Sequence, residues 1–232
     1  MSTMKSIAII PARSGSKGLK DKNIKLLDGK PLISYTIDAA IKSQQFEAVY
    51  VSTDSVEYAS ISKSYGASVP RLRPKELAED NSSSWDVVKY ILEDYKEKGI
   101  MFDTVMLLQP TSPLRSQDDI RSAFKLLEEK EGDAVISVCE AEHSPLWCNT
   151  LPENLCMDQF IRTDLFNKQR QQLGKFYRLN GAIYLLKTEL VDRVNELYNK
   201  NCFAYVMKKE HSIDIDDIYD FRMAEAILKE GY

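Results

Sequence analysis

The segment SIAIIPARSGSKGLKDKN, residues Ser6 to Asn23, changes character halfway along. Ser6 to Ala12 is a short apolar run rich in Ile. Such a run, with no polar alternation, reads as a strand buried on both faces of a parallel sheet. The second half carries Gly15, Gly18 and four cations, Arg13, Lys17, Lys20 and Lys22. Glycines let backbone N–H groups converge on an anion, Arg offers a planar fork and Lys a mobile point charge. The loop matches neither G-x-x-x-x-G-K-[ST] nor G-x-G-x-x-G. Its composition alone suits either a solvated basic loop or a polyphosphate cradle, and its place after a buried strand favours the cradle.

The rest of the chain repeats the strand-then-helix order. PLISYTIDAAIKS (Pro31–Ser43) predicts a helix with Pro at its first position, and AVYVS (Ala48–Ser52) a second buried strand. VEYASISKSYG reads as a helix stopped by Gly66. SSSWDVVKYILEDYKEKG predicts an amphipathic helix with Trp85, Val88, Ile91, Leu92 and Tyr95 on one face, capped by one of Ser82 to Ser84 and ended by Gly99. DTVMLLQ (Asp103–Gln109) and DAVISVC (Asp133–Cys139) are further strands. They flank a helix with Ser116 and Asp119 at capping-box spacing. After an aperiodic stretch from Glu140 to Tyr177 come a strand (NGAIYLLK), a helix (TELVDRVNELYNK), a strand (CFAYVMK), the segment SIDID and a last helix (DIYDFRMAEAILKEG). The alternation predicts an α/β fold with a mainly parallel sheet flanked by helices. In such sheets ligands bind outside the carboxyl ends of the strands. The loops after Ala12, Ser52 and Gln109, together with the late strand ends, are therefore the candidate site.

Bulk properties narrow the function. The 232 residues suit one domain with a modest appendage, and 35 acidic against 31 basic residues leave a net charge of −4. That balance argues against a general nucleic-acid binder, so any basic patch is local. The apolar run near the N-terminus is too short to span a membrane and no cleavage site follows it, so the protein reads as cytoplasmic with no membrane partner. The four cysteines, Cys139, Cys148, Cys156 and Cys202, form no C-x-x-C pair. Two histidines leave little material for a His-based metal site or triad. In SIDIDDIYD, Asp214 and Asp216 are two apart and share one side of an extended segment. They suit either a hard divalent cation or the start of the final helix. A basic glycine loop together with a carboxylate pair is what nucleotidyl transfer needs.

The segments IAIIPARSGSKGLKDKNI, VSTD, RLRPKELAED, LLQPTSPLR, RQQLGKFYRLNGAIY and HSIDID together resemble the acylneuraminate cytidylyltransferases, in the family's order and over nearly the whole chain. The resemblance implies a Rossmann-like domain from 1–139 and 178–232, with 140–177 as an extended dimerisation arm. It implies transfer of CMP from CTP to a nonulosonic acid, with Mg²⁺ and release of pyrophosphate, in a homodimer whose active site is shared. Carried onto this chain, Arg13, Lys17, Lys22, Asn23, Arg73 and Ser83 bind the nucleotide, and Arg13, Lys22 and Asp216 are catalytic. Gln109, Arg170 and Tyr184 meet the sugar, and Asp214 and Asp216 hold the metal. The implied product is CMP-N-acetylneuraminate, with legionaminic acid, pseudaminic acid or KDN as alternative sugars. One departure bears on that choice: Trp147 stands where the neuraminate members carry a lysine near the sugar. A non-catalytic nucleotide-binding module, or a transferase using another nucleotide, are the competing readings.

Overall fold

The structure, a computed structural model, describes residues 4–15, 18–79 and 81–231, without the side chain of Arg170. Its elements in chain order are β1 (Ser6–Pro11), β2 (Leu26–Leu27), β3 (Lys30–Pro31), α1 (Leu32–Ser43), β4 (Ala48–Ser52), α2 (Val56–Ser64), α3 (Ser84–Glu97), β5 (Thr104–Leu107), α4 (Gln117–Glu129), β6 (Ala134–Glu140), β7 (Tyr177–Lys187), β8 (Cys202–Val206) and α5 (Ile218–Glu230). Six strands form one sheet in the order β4-β1-β5-β7-β6-β8. β1 pairs in parallel with β4 and β5, and β6 with β8, while β7 runs antiparallel to both β5 and β6. Five strands therefore point one way and β7 alone points back, which is the mainly parallel sheet the alternation predicts.

The apolar strands are explained by cover on both faces. Along β1, Ala8 and Ile10 face a core shared with Ile33 and Ile37 of α1, Tyr58 of α2 and Phe124 of α4. Ile7 and Ile9 face the opposite core, with Val87, Val88 and Ile91 of α3 and Leu190 and Val191. The period-two geometry of a strand divides its side chains between the layers. A third cluster, Leu27, Leu32, Leu114, Ile215, Phe221 and Ala224, seats α5 across the end of the sheet.

The caps follow their chemistry. Ser83 accepts from the Trp85 N–H at the start of α3. Ser116 and Asp119 form the predicted box on α4, and Asp217 with Asp220 forms a second on α5. Gly66 and Gly99 follow their helices with φ of +90° and +75°.

Three local expectations are corrected. Pro31 is the residue before α1, extended at ψ 135°, because it pairs with Leu26 across the β2–β3 hairpin. That hairpin turns on Asp28-Gly29, both at positive φ, the two-residue turn that matches strand twist. TELVDRVNELYNK forms 3₁₀ turns over Thr188–Glu196 with a break at Arg193, not an α-helix. Thr188 Oγ1 donates to the Phe102 carbonyl at 2.8 Å, and the β-branched Val191 and Val194 weaken helical continuation. β7 begins at Tyr177, three residues before the predicted NGAIYLLK.

The aperiodic segment leaves β6 at Glu140 and rejoins the sheet at Tyr177, directly opposite in the β6–β7 ladder. Between them lie only single 3₁₀ turns at Pro145–Trp147, Thr163–Leu165 and Arg170–Gln172. Leu165 and Leu173 are buried, whereas Leu151, Leu155, Met157 and Phe166 are exposed.

Candidate active site

The carboxyl ends of β1, β4 and β5 open on one cleft of about 420 Å³. Arg13, Lys22, Asn23, Arg73, Gln109, Thr111 and Asp216 are among its lining residues. The loop after β1 is fastened at several points. Asn23 Nδ2 donates to the Arg13 carbonyl at 3.2 Å. Ser14 gives its N–H and its hydroxyl to Asp54, both at 2.7 Å. Tyr58 donates to Asp21 at 3.3 Å. Asp21 sits at φ 51° and starts the 3₁₀ turn Lys22–Ile24. That turn aims Lys22 at the far wall, where Nζ donates to the Ile215 carbonyl at 2.5 Å and to Asp216 Oδ1 at 3.3 Å.

The far wall is built by alternation. Ile215 is fully buried and its N–H donates to the Thr111 carbonyl at 2.8 Å. Asp214 and Asp216 consequently lie on the other side of the segment. Asp214 Oδ1 is buried with no hydrogen-bond partner. Burial raises the Asp214 carboxyl above its ordinary value and the Asp216 charge pushes the same way, while Thr111 and Lys22 pull it down. Two mutually repelling carboxylates, one with an unpaired buried oxygen, fit a hard divalent cation. Among the described residues no group of three or more His, Cys, Asp or Glu side chains could hold a metal. An ion at Asp214 and Asp216 would therefore complete its shell with water or phosphate oxygens.

The two walls come within contact distance at Gly18. A Cβ there would stand 2.6 Å from the Asp216 carbonyl oxygen. A second close approach is at Gly181, φ +73°, where a Cβ would lie 2.8 Å from Gln109 Oε1 and 3.5 Å from Asp214 Oδ2. Arg115, almost wholly buried, supports this corner by donating from Nη1 to the carbonyls of Gln109 at 3.2 Å and Ala182 at 3.0 Å.

Arg73 forms the β4 side of the cleft. It donates from Nε to Ser52 Oγ at 3.0 Å and from Nη2 to the Ser52 carbonyl at 2.6 Å. Burial pushes its guanidinium down to about 10, with Asp54 opposing and Arg13 reinforcing the shift. It is still a cation at neutral pH.

The cleft thus gathers Arg13, Lys22, Asn23, Arg73, Gln109 and Asp216, with Asp214 behind Gln109. Ser83 lies outside the lining because its hydroxyl caps α3, while its neighbours Ser82 and Ser84 line the cleft. Tyr184 packs edge-on against Trp85 at 5.9 Å, away from the lining. Lys17 and the Arg170 side chain lie outside the described residues. Thr111, which with Gln109 offers a polar group at the end of β5, lines the cleft as the strand rule expects. Residue-type reasoning passed over Asp54, Glu79, Gly181 and Arg115. Asp54 was findable, since it follows a strand's carboxyl end.

A family model described as cytidylyltransferase matches residues 7–228. An N-acylneuraminate cytidylyltransferase from Escherichia coli is 40% identical over 97% of this chain and 52% of its own length. This chain therefore spans about half of that relative. A CMP-N,N'-diacetyllegionaminic acid synthase from Legionella pneumophila is 36% identical over 97% of both chains. Among solved structures, a CMP:2-keto-3-deoxy-manno-octonic acid synthetase complexed with CTP superposes with a TM-score of 0.70, covering 98% of this chain and 100% of that one at 15% identity. That likeness concerns the fold.

Proposed function

The chain belongs to the cytidylyltransferase family, and we propose that it joins CTP to a nonulosonic acid, giving the CMP-sugar and pyrophosphate. The observation that carries this reading is the meeting of Lys22 and Asp216 at 3.3 Å across a cleft that also holds Arg13 and Arg73. A triphosphate has cations on one side there and a carboxylate pair on the other. Arg13 and Lys17 hold the β- and γ-phosphates. Asn23 and Arg73 hold the nucleoside end, with Ser82 and Ser84 beside them in the lining, while Ser83 caps α3 behind this wall. Lys22 leaves Asp216 for the α-phosphate and stabilises the charge that grows there.

The sugar's 2-hydroxyl oxygen forms the new bond to the α-phosphorus. The bond from that phosphorus to the bridging oxygen breaks, and the electron pair leaves with pyrophosphate. Asp216, with its side chain open to the cleft, orients the hydroxyl and takes its proton. Asp214 and Asp216 would hold Mg²⁺. When bound, the ion supplies charge neutralisation at the phosphates and a template for the approach of the hydroxyl.

Gln109 serves the sugar side from the cleft lining, and Tyr184 supports that side through its packing on Trp85. The exposed Leu151, Leu155, Met157 and Phe166 support 140–177 as the arm of a homodimer, in which Arg170 reaches the sugar in the second copy's cleft. We take N-acetylneuraminate as the sugar. Trp147 favours a second reading, in which an apolar ring selects legionaminic acid, pseudaminic acid or KDN. The protein works in the cytoplasm. Among the described residues no helix is long and apolar enough to cross a membrane.

The test is pyrophosphate release with CTP, Mg²⁺ and each of these sugars, repeated with UTP, GTP and ATP. Turnover with CTP alone and one preferred sugar is expected. No turnover with any sugar would sink the reading, and a preference for another nucleotide would replace it.

A further inference from the structure

We propose that Asp54 is a positioning residue for CTP, the carboxylate that holds the loop after β1 and balances the two arginines lining the cleft. The inference rests on the function proposed above and adds a residue that does not itself line the cleft. Three chain segments meet behind the wall. The Ala12 N–H donates to the Ser52 carbonyl at 2.8 Å, and the Arg73 N–H donates to the Thr53 carbonyl at 2.7 Å. Arg73 also donates twice to Ser52, through Nε and Nη2. Asp54 closes the group by taking both donors of Ser14, one on each carboxylate oxygen. Ser14 is the residue after Arg13, so this pair fixes where the Arg13 backbone leaves the sheet.

The charge arrangement points the same way. The Arg13 charge disfavours the cationic form of Arg73, and Asp54 favours it. Burial alone would raise the Asp54 carboxyl, yet the two bonds from Ser14, its own backbone N–H and the Arg73 charge together hold Asp54 below its ordinary value. Asp54 is thus an anion throughout the neutral range. Before substrate arrives it is an anion behind the wall, with Glu79 a second one in the lining, and it keeps two cations facing the same space. The triphosphate then meets an arrangement already built, so less of its binding free energy is spent on ordering the loop.

The experiment compares wild type, Asp54→Asn, Ser14→Ala and the double variant by calorimetric titration with CTP and by initial rates. Asp54→Asn keeps the size of the side chain and removes its charge. Its CTP affinity is expected to fall about tenfold, the scale of one charge-assisted hydrogen bond. KM for CTP should rise in step, with kcat and the KM for the sugar near wild type. Ser14→Ala should show a weaker form of the same split, and the double variant should be no worse than Asp54→Asn, because both act through one contact. If Asp54→Asn does not fold, the split in Ser14→Ala decides the matter. A loss of kcat at unchanged KM would mean a smaller folded fraction and overturn the inference, as would fully additive effects. If wild type binds CTP and Asp54→Asn binds it equally well, the inference alone fails. If wild type binds no CTP, the proposed function fails and takes the inference with it.

Discussion

Gly18→Ala tests whether the two walls of the cleft must meet at a set distance. Gly18 has no left-handed backbone requirement, so the effect of a methyl group is steric. The added Cβ would stand 2.6 Å from the Asp216 carbonyl oxygen, where ordinary contact begins at 3.4 Å. About 0.8 Å must therefore open. The Asp216 side cannot yield easily. The Ile215 N–H is bonded to Thr111, the Asp216 N–H donates to Asp220 Oδ2 at 3.0 Å, and Ile215 is buried in the cluster under α5. The loop must move instead, and it carries Lys22 with it.

Misplacement of a reacting group by about 1 Å can cost about a hundredfold in rate. We therefore expect kcat to fall by about 10- to 100-fold, or roughly 1.4–2.7 kcal/mol in the barrier. The loop is exposed at Gly18, so the melting free energy should change by less than about 1 kcal/mol. Pyrophosphate release at saturating CTP, with a thermal melt on the same preparation, measures both. A variant with wild-type kcat and an unchanged melt would refute the claim that Gly18 sets the separation of Lys22 from Asp216.

Other perturbations separate the roles. Lys22→Ala should lose turnover by about 2–4 kcal/mol, the scale of removing one donor to a developing oxyanion; a higher KM at unchanged kcat would contradict its role at the α-phosphate. Asp214→Asn should be inactive yet melt higher than wild type at neutral pH. The folded Asp214 carboxyl sits above its ordinary value of 3.8, so its favourable contribution is present below that value and is lost as pH rises through the raised one. The stability gain of the variant should then shrink as pH falls toward 3.8, and a gain independent of pH would be the wrong result. Asp119→Ala removes the α4 capping box and the acceptor for Tyr205 and His211. A loss of about 2–3 kcal/mol is expected in urea melts, and a loss within error would show that the network contributes nothing.

The sheet was legible because residues covered on both faces need no polar alternation: Ile7, Ile9 and Ile10 announce a central strand by themselves. The capping box at Ser116 was legible because cap chemistry is local. TELVDRVNELYNK misled because its helical period competes with the contact Thr188 makes to Phe102, which no window of sequence contains. The Asp28-Gly29 hairpin was present as a short-range signal and was passed over beside the stronger helix that follows. In the site, cations after a buried strand and acids two apart could be placed from residue type and strand rule. Arg115 could not, since its value lies in joining Gln109 to Ala182, and these meet only because β7 runs back between β5 and β6. Ser83 shows the converse: a polar residue beside a cleft can already be spent on a helix cap.

The most direct test of the account is a ³¹P NMR time course of the purified chain with CTP, Mg²⁺ and the preferred sugar. Attack on the α-phosphorus predicts a CMP-sugar diester resonance growing in equal amount with pyrophosphate as the CTP signals fall, with no CDP. Release of inorganic phosphate with CDP, or unchanged CTP in the presence of folded protein and every sugar of the panel, would contradict it.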